Sequence, residues 1–256
     1  MKNINLISID VNAWTALSQG AVYLSTSGHA SNKRPKVLKK DNQIIKCFFW
    51  KKGLSSRRFF PEWKRFVNHA HLLQQRGITT VTIDACYRVP ALGMDCVVYT
   101  CLAGTDLRSL VQNGLEISCG SELRADPTLT LFSHFLAELH QQGIFFRGIH
   151  LGNILQLSGK ANNKGYTDAN DPACVRHALI DISDLSVSHQ PLSLWRCARN
   201  MAHAFKTLPD DRYYMQYGLH NFIKQYFSKM NLTNFQQKIF LKLLNYELPD
   251  YLRFAT

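Results

Sequence analysis

HLGNIL (residues 150–155) and LIDISDL (residues 179–185) share one build: a polar group stands at the end of a short apolar run. Asn153 is followed by Ile154 and Leu155, and Asp181 is preceded by Leu179 and Ile180. Apolar runs of this kind anchor the backbone in a core and hold the polar side chain at a fixed place. An Asn amide oxygen and an Asp carboxylate are hard oxygen donors, the type that Mg²⁺ bridging triphosphate oxygens requires. Taken singly, Asn153 after Gly152 also reads as a turn asparagine, and Asp181 as a turn or helix N-cap aspartate. Their order, behind a segment ending in LHQQGI, favours the metal reading.

Working outward, residues 129–142 (LTLFSHFLAELHQQ) predict a helix stopped by Gly143, and IFFRGIHLGNILQL predicts an apolar strand and loop. Residues 159–171 are polar and rich in Gly and Asn, a surface loop. HALIDISDL predicts a short buried strand running into a turn, and 193–254 predicts amphipathic helix rich in aromatics. Upstream, residues 5–50 read as strands with turns, including a hairpin turn at Lys39, Lys40, Asp41 and Asn42. The period changes over 58–76, where Phe59, Trp63, Phe66, Val67, Ala70, Leu72 and Leu73 approximate a helical face closed by Gly77. Strands are expected around 79–89 and 93–102, parted by LGMD, with a hinge near 102–105. The expected class is α+β: a β-rich lobe with one helix over 1–103, then a mainly helical lobe over 104–256.

The formal charge of +12 favours an anionic partner such as a nucleotide, a phosphorylated glycan, an acidic lipid surface or nucleic acid. Basic residues concentrate between Lys33 and Arg65, either as a solvated face or as a contact surface. Aromatics flank these lysines in what reads as buried strand and helix, which argues against nucleic acid. Seven cysteines, at 47, 86, 96, 101, 119, 174 and 197, form no C-x-x-C pair and read as reduced, buried thiols rather than a zinc site. No apolar run reaches the roughly 18 residues that span a bilayer. The N-terminus shows no secretory pattern. A cytoplasmic location is expected.

H-x-G-N-I-L followed by I-D resembles the catalytic loop and metal-binding aspartate of the protein-kinase-like superfamily, in its aminoglycoside-phosphotransferase and lipopolysaccharide-kinase branches. The resemblance implies a two-lobe kinase-like fold that binds ATP and Mg²⁺, with Asn153 and Asp181 as metal ligands. QIIKCFF resembles the strand carrying the phosphate-binding lysine, here Lys46, and VVYTCLAGTDLRSLV resembles the hinge, placing Tyr99 to Leu102 against adenine. Asp184 matches an acidic or polar position of some sugar kinases. More narrowly, KCFFWKKGLSSRRFF, RFVNHAHLLQQRGI, IFFRGIHLGNIL and LIDISDL are similar to the bacterial lipopolysaccharide core kinase and toluene-tolerance-protein group, over roughly 35–205. That group implies phosphorylation of inner-core heptose or Kdo at the inner face of the inner membrane, so lipopolysaccharide core oligosaccharide is the expected partner and peripheral contact with anionic membrane is expected.

The chain departs from the superfamily pattern in three places. Five residues before Asn153, where an active member carries aspartate, stands Gly148. His150 matches the family's following His or Lys. It reads as a γ-phosphate contact, a substitute base, or a brace for the loop. Arg147 reads as a contact for an anionic sugar or as a surface arginine. The expected helix offers Lys46 no clear acidic counterpart, since Glu62, near its start, is the only acid in 58–76 and Asn68 stands where the glutamate is expected. The phosphate loop lacks G-x-G-x-x-G, with Gly20 and the Ser25–Gly28 stretch as weak stand-ins. Two functions therefore stay open: a lipopolysaccharide core sugar kinase using His150, Asn153 and Asp181, or a pseudokinase that binds nucleotide or a partner.

Overall fold

A computed structural model of the chain describes residues 4–27, 34–50, 61–117, 127–157, 176–208 and 210–252. The chain divides into two compact units, residues 1–75 with 80–102, and residues 76–79 with 103–256.

The first unit is built on β1 (Leu6–Ser8), α1 (Val11–Ser18), β2 (Val22–Ser27), β3 (Arg34–Lys40), β4 (Gln43–Phe49) and α2 (Glu62–Gln75). After the two-residue β5 (Thr79–Thr80) at the unit boundary come β6 (Ile83–Val89) and β7 (Met94–Thr100). Six strands form one sheet in the order β1-β6-β7-β4-β3-β2, with β1 parallel to β6 and the other pairs antiparallel. β4 and β7 lie in the middle and are apolar almost throughout, as strands covered on both faces must be. Ile45, Cys47, Met94, Cys96 and Val98 share one core with Trp14 of α1. On the other face the Phe66 ring of α2 packs 5.9 Å from Phe48 and 5.6 Å from Tyr99. The period of 2 along β4 therefore places Lys46 on the α2 side.

The turn at residues 39–42 forms as expected, with Asp41 at φ 51° between β3 and β4. Helix α1 corrects the expectation of strands and turns alone over 5–50. Its N-cap is Asp10, whose carboxylate accepts from the Ala13 amide at 2.8 Å. The expected helix over 58–76 is α2, and Gly77 follows it at φ 73°. Leu72, expected on its buried face, is 39% exposed. Phe59, the loop at 159–171 and much of the basic stretch from Lys33 to Arg65 lie outside the described residues.

The second unit holds β8 (Gly104–Asp106), α3 (Leu107–Ile117), α4 (Pro127–Gln141), β9 (Ile144–Phe146), β10 (Ile154–Leu157), β11 (His177–Leu179) and β12 (Leu185–Val187). Helices α5 (Leu194–Lys206), α6 (Asp211–Tyr217), α7 (Leu219–Met230) and α8 (Asn234–Glu247) complete it. β10 pairs antiparallel with both β11 and β8, and β9 pairs antiparallel with β12. Its helical core is aromatic: Phe205, Tyr214 and Phe222 pack as a trio with ring centroids 4.8–5.6 Å apart. Glycine is required where the segment after α4 turns back. Gly143 has φ 75°, and a Cβ there would stand 2.5 Å from the Gln190 carbonyl oxygen. The α+β class holds, with a β-rich N-terminal part followed by a mainly helical one.

Candidate functional site

β9 ends at Phe146, and the chain then runs through Arg147, Gly148, Ile149 and His150 into a 3-10 turn at Leu151–Asn153 before β10 begins. The loop is closed on itself. The Asn153 side-chain Nδ2 donates to the Gly148 carbonyl at 2.8 Å, and the Asn153 amide donates to the His150 carbonyl at 3.0 Å. The first bond orients the carboxamide, because its nitrogen is the donor to a carbonyl and Oδ1 is the atom left as an acceptor.

β11 runs antiparallel beside β10, with Ile154 opposite Leu179. One step beyond, the Ile180 amide donates to the Asn153 carbonyl at 3.0 Å. Asn153 and Asp181 therefore stand at the same end of two adjacent strands. Asp181 has φ 53° and ψ 40°, in the left-handed region, and opens a 3-10 turn at Ile182–Asp184. Aspartate tolerates this region better than most residues, yet the conformation still costs about 1–3 kcal/mol and must be held by its surroundings.

Against the loop lies an ion pair with a buried carboxylate that sequence reasoning missed. Asp210, with 0% exposure, accepts from Arg108 Nε at 2.5 Å and Nη2 at 3.2 Å, and from the Leu151 amide at 2.8 Å. The hydrogen bond to Asp210 is the first cause that raises the Arg108 pKa. Arg108 Nη2 also lies 3.3 Å from His150 Nδ1. A Cβ on Gly152 would meet Arg108 Nη1 at 3.0 Å, so glycine leaves the path along which the guanidinium crosses the loop. Helix α5 braces the loop's start. The buried Asn200 Nδ2 donates to the Phe146 carbonyl at 2.6 Å, and its Oδ1 accepts from the Phe146 amide at 3.3 Å. Asp210 and Asn200 had no local sequence signal, because their partners lie 102 and 54 residues away.

His150 sits where these groups meet. The Gly152 amide donates to its Nδ1 at 3.1 Å, so in the neutral ring the proton is on Nε2. Burial pushes its pKa down and Arg108 adds to this, while Asp210 and Asp181 act the other way. Arg147 Nε lies 3.8 Å from Asp184 Oδ2, a loose pair with both side chains more than half exposed. Its amide donates to the Asp184 carbonyl at 3.0 Å, tying the start of the loop to the turn after Asp181.

The remaining residues expected at the site belong to the first unit. Lys46 is buried in β4, 3% exposed. Its ammonium lies 5.5 Å from the Phe66 ring centroid and 6.0 Å from that of Phe48. Tyr99 is buried against Phe66, and Leu102 is half-buried. Asn68, placed by sequence where an ion-pair glutamate is expected, is exposed.

Asn153 Oδ1 and the Asp181 carboxylate are hard donors that fit Mg²⁺. No group of three or more His, Cys, Asp or Glu converges among the described residues. Two protein oxygens, with phosphate and water completing the shell, is the usual Mg²⁺ arrangement rather than an all-protein cage.

No family model and no curated protein matches the chain. Similar solved structures include WaaP in complex with acyl carrier protein, at 16% identity over 94% of this chain and 99% of that chain, with a TM-score of 0.45. Another is a high-resolution crystal structure of WbdD, at 12% identity over 87% of this chain and 50% of that one, TM-score 0.44. A third is WbdD described as a bifunctional kinase-methyltransferase, at 13% identity over 86% and 53%, TM-score 0.44. The chain thus spans about half the length of the WbdD chains. At such identities the chemistry of the site has to come from the chain's own residues.

Proposed function

We propose that the chain is an ATP-dependent phosphotransferase of the lipopolysaccharide inner-core sugar kinase type, acting on a hydroxyl group of a core sugar. The observation that carries this is the placing of Asn153 and Asp181, two hard oxygen donors, at one end of the adjacent strands β10 and β11. In this reading they hold Mg²⁺, Lys46 holds the α- and β-phosphates, and Tyr99 to Leu102 face adenine. Held there, Mg²⁺ would supply positive charge to offset that of the transferring phosphoryl group. His150 presents Nε2–H, so it donates a hydrogen bond to a phosphoryl oxygen rather than taking a proton from the acceptor. The Arg108–Asp210 pair holds the loop through the Leu151 amide and so fixes where His150 and Asn153 stand.

The test is calorimetry of Mg-ATP binding to wild type, Asp181→Ala and Asp181→Asn. Asparagine also tolerates positive φ, so the second variant removes the charge without adding backbone strain. Affinity is expected to fall about 100-fold or more, since even groups one step removed from a metal are worth about 10- to 100-fold. Unchanged affinity in the folded variants would show the metal assignment to be wrong.

A second reading has a specific observation in its favour. Gly148 offers no carboxylate to orient the acceptor hydroxyl, and a Cβ there would stand 3.0 Å from the Phe146 ring. A chain built this way can bind nucleotide without transferring phosphate. Tight Mg-ATP binding with no transfer to any core oligosaccharide would select this pseudokinase reading.

A further inference from the structure

Helix α5 turns two unlike faces to its surroundings. Cys197, Ala198, Asn200, Met201, Ala202, Ala204 and Phe205 are buried, whereas Trp195, Arg199 and His203, spaced four apart, form a line along another face. That line, with Arg196, borders a groove of about 320 Å³ in the second unit, closed on its other side by Phe145, Arg147 and Asp184. Three guanidinium groups thus face one space against one carboxylate.

These groups are held in position. Arg196 Nη2 donates to Ser186 Oγ at 2.8 Å, and its guanidinium carbon lies 5.1 Å from the Phe145 ring centroid. The Arg199 guanidinium carbon lies 5.2 Å from the Trp195 ring. Stacking of this kind leaves the edge N–H groups of arginine pointing outward and pre-set for an anion. His203 meets Phe145 edge-on, with centroids 6.1 Å apart. Its Nε2 is enclosed and has no hydrogen-bond partner among the described residues. Burial lowers the His203 pKa, and Arg147, Lys206 and Arg199 lower it further, against Glu247. An enclosed imidazole nitrogen without a partner is rare in a finished core. Trp195, 45% exposed, adds an apolar plane at the rim. A volume of this size, at the small end of ligand sites, suits a single ring better than a nucleotide.

We propose that this groove is the acceptor subsite and takes a sugar that already bears a phosphate or carboxylate, with the anionic group held by Arg196, Arg199 and His203 and the ring laid on Trp195. The inference deepens the phosphotransfer reading and rests on it for the role of acceptor. Arg147 supports that role, since it belongs to the groove and directly precedes Gly148 in the loop that carries Asn153.

The test uses the full chain without nucleotide and four probes: a hexose 6-phosphate, a hexuronic acid, inorganic phosphate and the unmodified hexose. Calorimetry gives affinities, and the His203 ring signals in NMR report on the groove. At least one of the two anionic sugars is expected to bind about tenfold or more tighter than inorganic phosphate and neutral hexose. It should also raise the pH at which the His203 ring titrates, because an adjacent anion favours the imidazolium. Arg199→Gln and Arg196→Gln are expected to weaken anionic-sugar binding about tenfold each, the size of one charge-assisted contact. Trp195→Ala should weaken anionic-sugar binding and leave inorganic phosphate unchanged. Affinity unchanged in a folded Arg196→Gln/Arg199→Gln double variant overturns the inference, as does neutral hexose or inorganic phosphate binding as well as both anionic sugars. Mg-ATP titrations of the same samples separate the two readings. Intact Mg-ATP binding without anionic-sugar binding overturns the groove alone. Anionic-sugar binding lost in the arginine variants, in a chain that binds no Mg-ATP, upholds the groove's ligand class and removes the transfer reading.

Discussion

At position 148 space, not backbone conformation, keeps a side chain out. Gly148 does not take a positive φ, so a left-handed backbone is not the reason for glycine here. A Cβ there would meet the Phe146 ring at 3.0 and 3.3 Å and Asn153 Nδ2 at 3.5 Å, and Phe146 itself is fully buried. Gly148→Asp is therefore expected to cost about 1–3 kcal/mol of stability, the range of overpacked sites. It should nonetheless raise transfer to a core oligosaccharide, by up to about 10²–10⁴-fold if proton transfer limits the wild type. Thermal denaturation and a phosphate-transfer assay check the two parts. A folded Gly148→Asp protein that binds Mg-ATP and stays inert on every core acceptor would hand the site to the pseudokinase reading. At this scale the place of Asp181 at the end of a buried strand was legible because its apolar run precedes it directly. Asp210 was not, because nothing in the local run PDD points to the Leu151 amide that it accepts from.

Among the elements, α4 and α5 act together through one buried polar chain. His140 of α4, with 0% exposure, has Nδ1 2.7 Å from the Tyr226 hydroxyl and Nε2 3.1 Å from Asn200 Oδ1. Asn200 in turn holds both backbone groups of Phe146, so the same network that joins the helices braces the site loop. Burial lowers the His140 pKa from 6.5 to about 4, against the hydrogen bond that its Nε2 donates to Asn200 Oδ1, which raises it. Its folded value lies below the unfolded one, so between those limits the unfolded chain binds a proton that the folded chain does not. Stability from this group is complete above about pH 6.5 and falls as the pH drops toward 4, by of order 3 kcal/mol. Chemical denaturation across that range should follow this decline, and His140→Gln should flatten it. An equal decline in a folded His140→Gln protein would assign the effect to other groups. Long amphipathic segments such as α2 and α4 were legible because several turns of period 3.6 identify a helix. α1, with VNAWTALS, was not, because eight residues with a single buried side chain, Trp14, carry too little period. The parallel pairing of β1 with β6 was also hidden, since register between distant strands depends on packing partners that no local run specifies.

For the whole molecule, the dominant sequence property is its charge of +12, which local packing does not explain. No described helix is long and apolar enough to cross a membrane. Contact with an anionic bilayer is expected to act through the basic stretch from Lys33 to Arg65. Lys51, Lys52, Arg57 and Arg58 of that stretch lie outside the described residues, so the proposal rests on sequence charge alone. Each Lys or Arg near an anionic surface contributes about 1 kcal/mol, which decays within a Debye length of about 10 Å at 0.1 M salt. Four such residues would be enough for reversible binding at low ionic strength and too few to hold it at high ionic strength. Co-sedimentation with vesicles containing anionic lipid should therefore fall steeply as salt is raised, and should be weak on neutral vesicles at any salt. Charge reversal at the four positions should remove most of the low-salt binding and leave Mg-ATP affinity unchanged. Binding that ignored both salt and charge reversal would mean that the attraction is not electrostatic. The basic stretch would then be a solvated face, and the charge would serve the site itself, whose proposed nucleotide and sugar ligands are anionic.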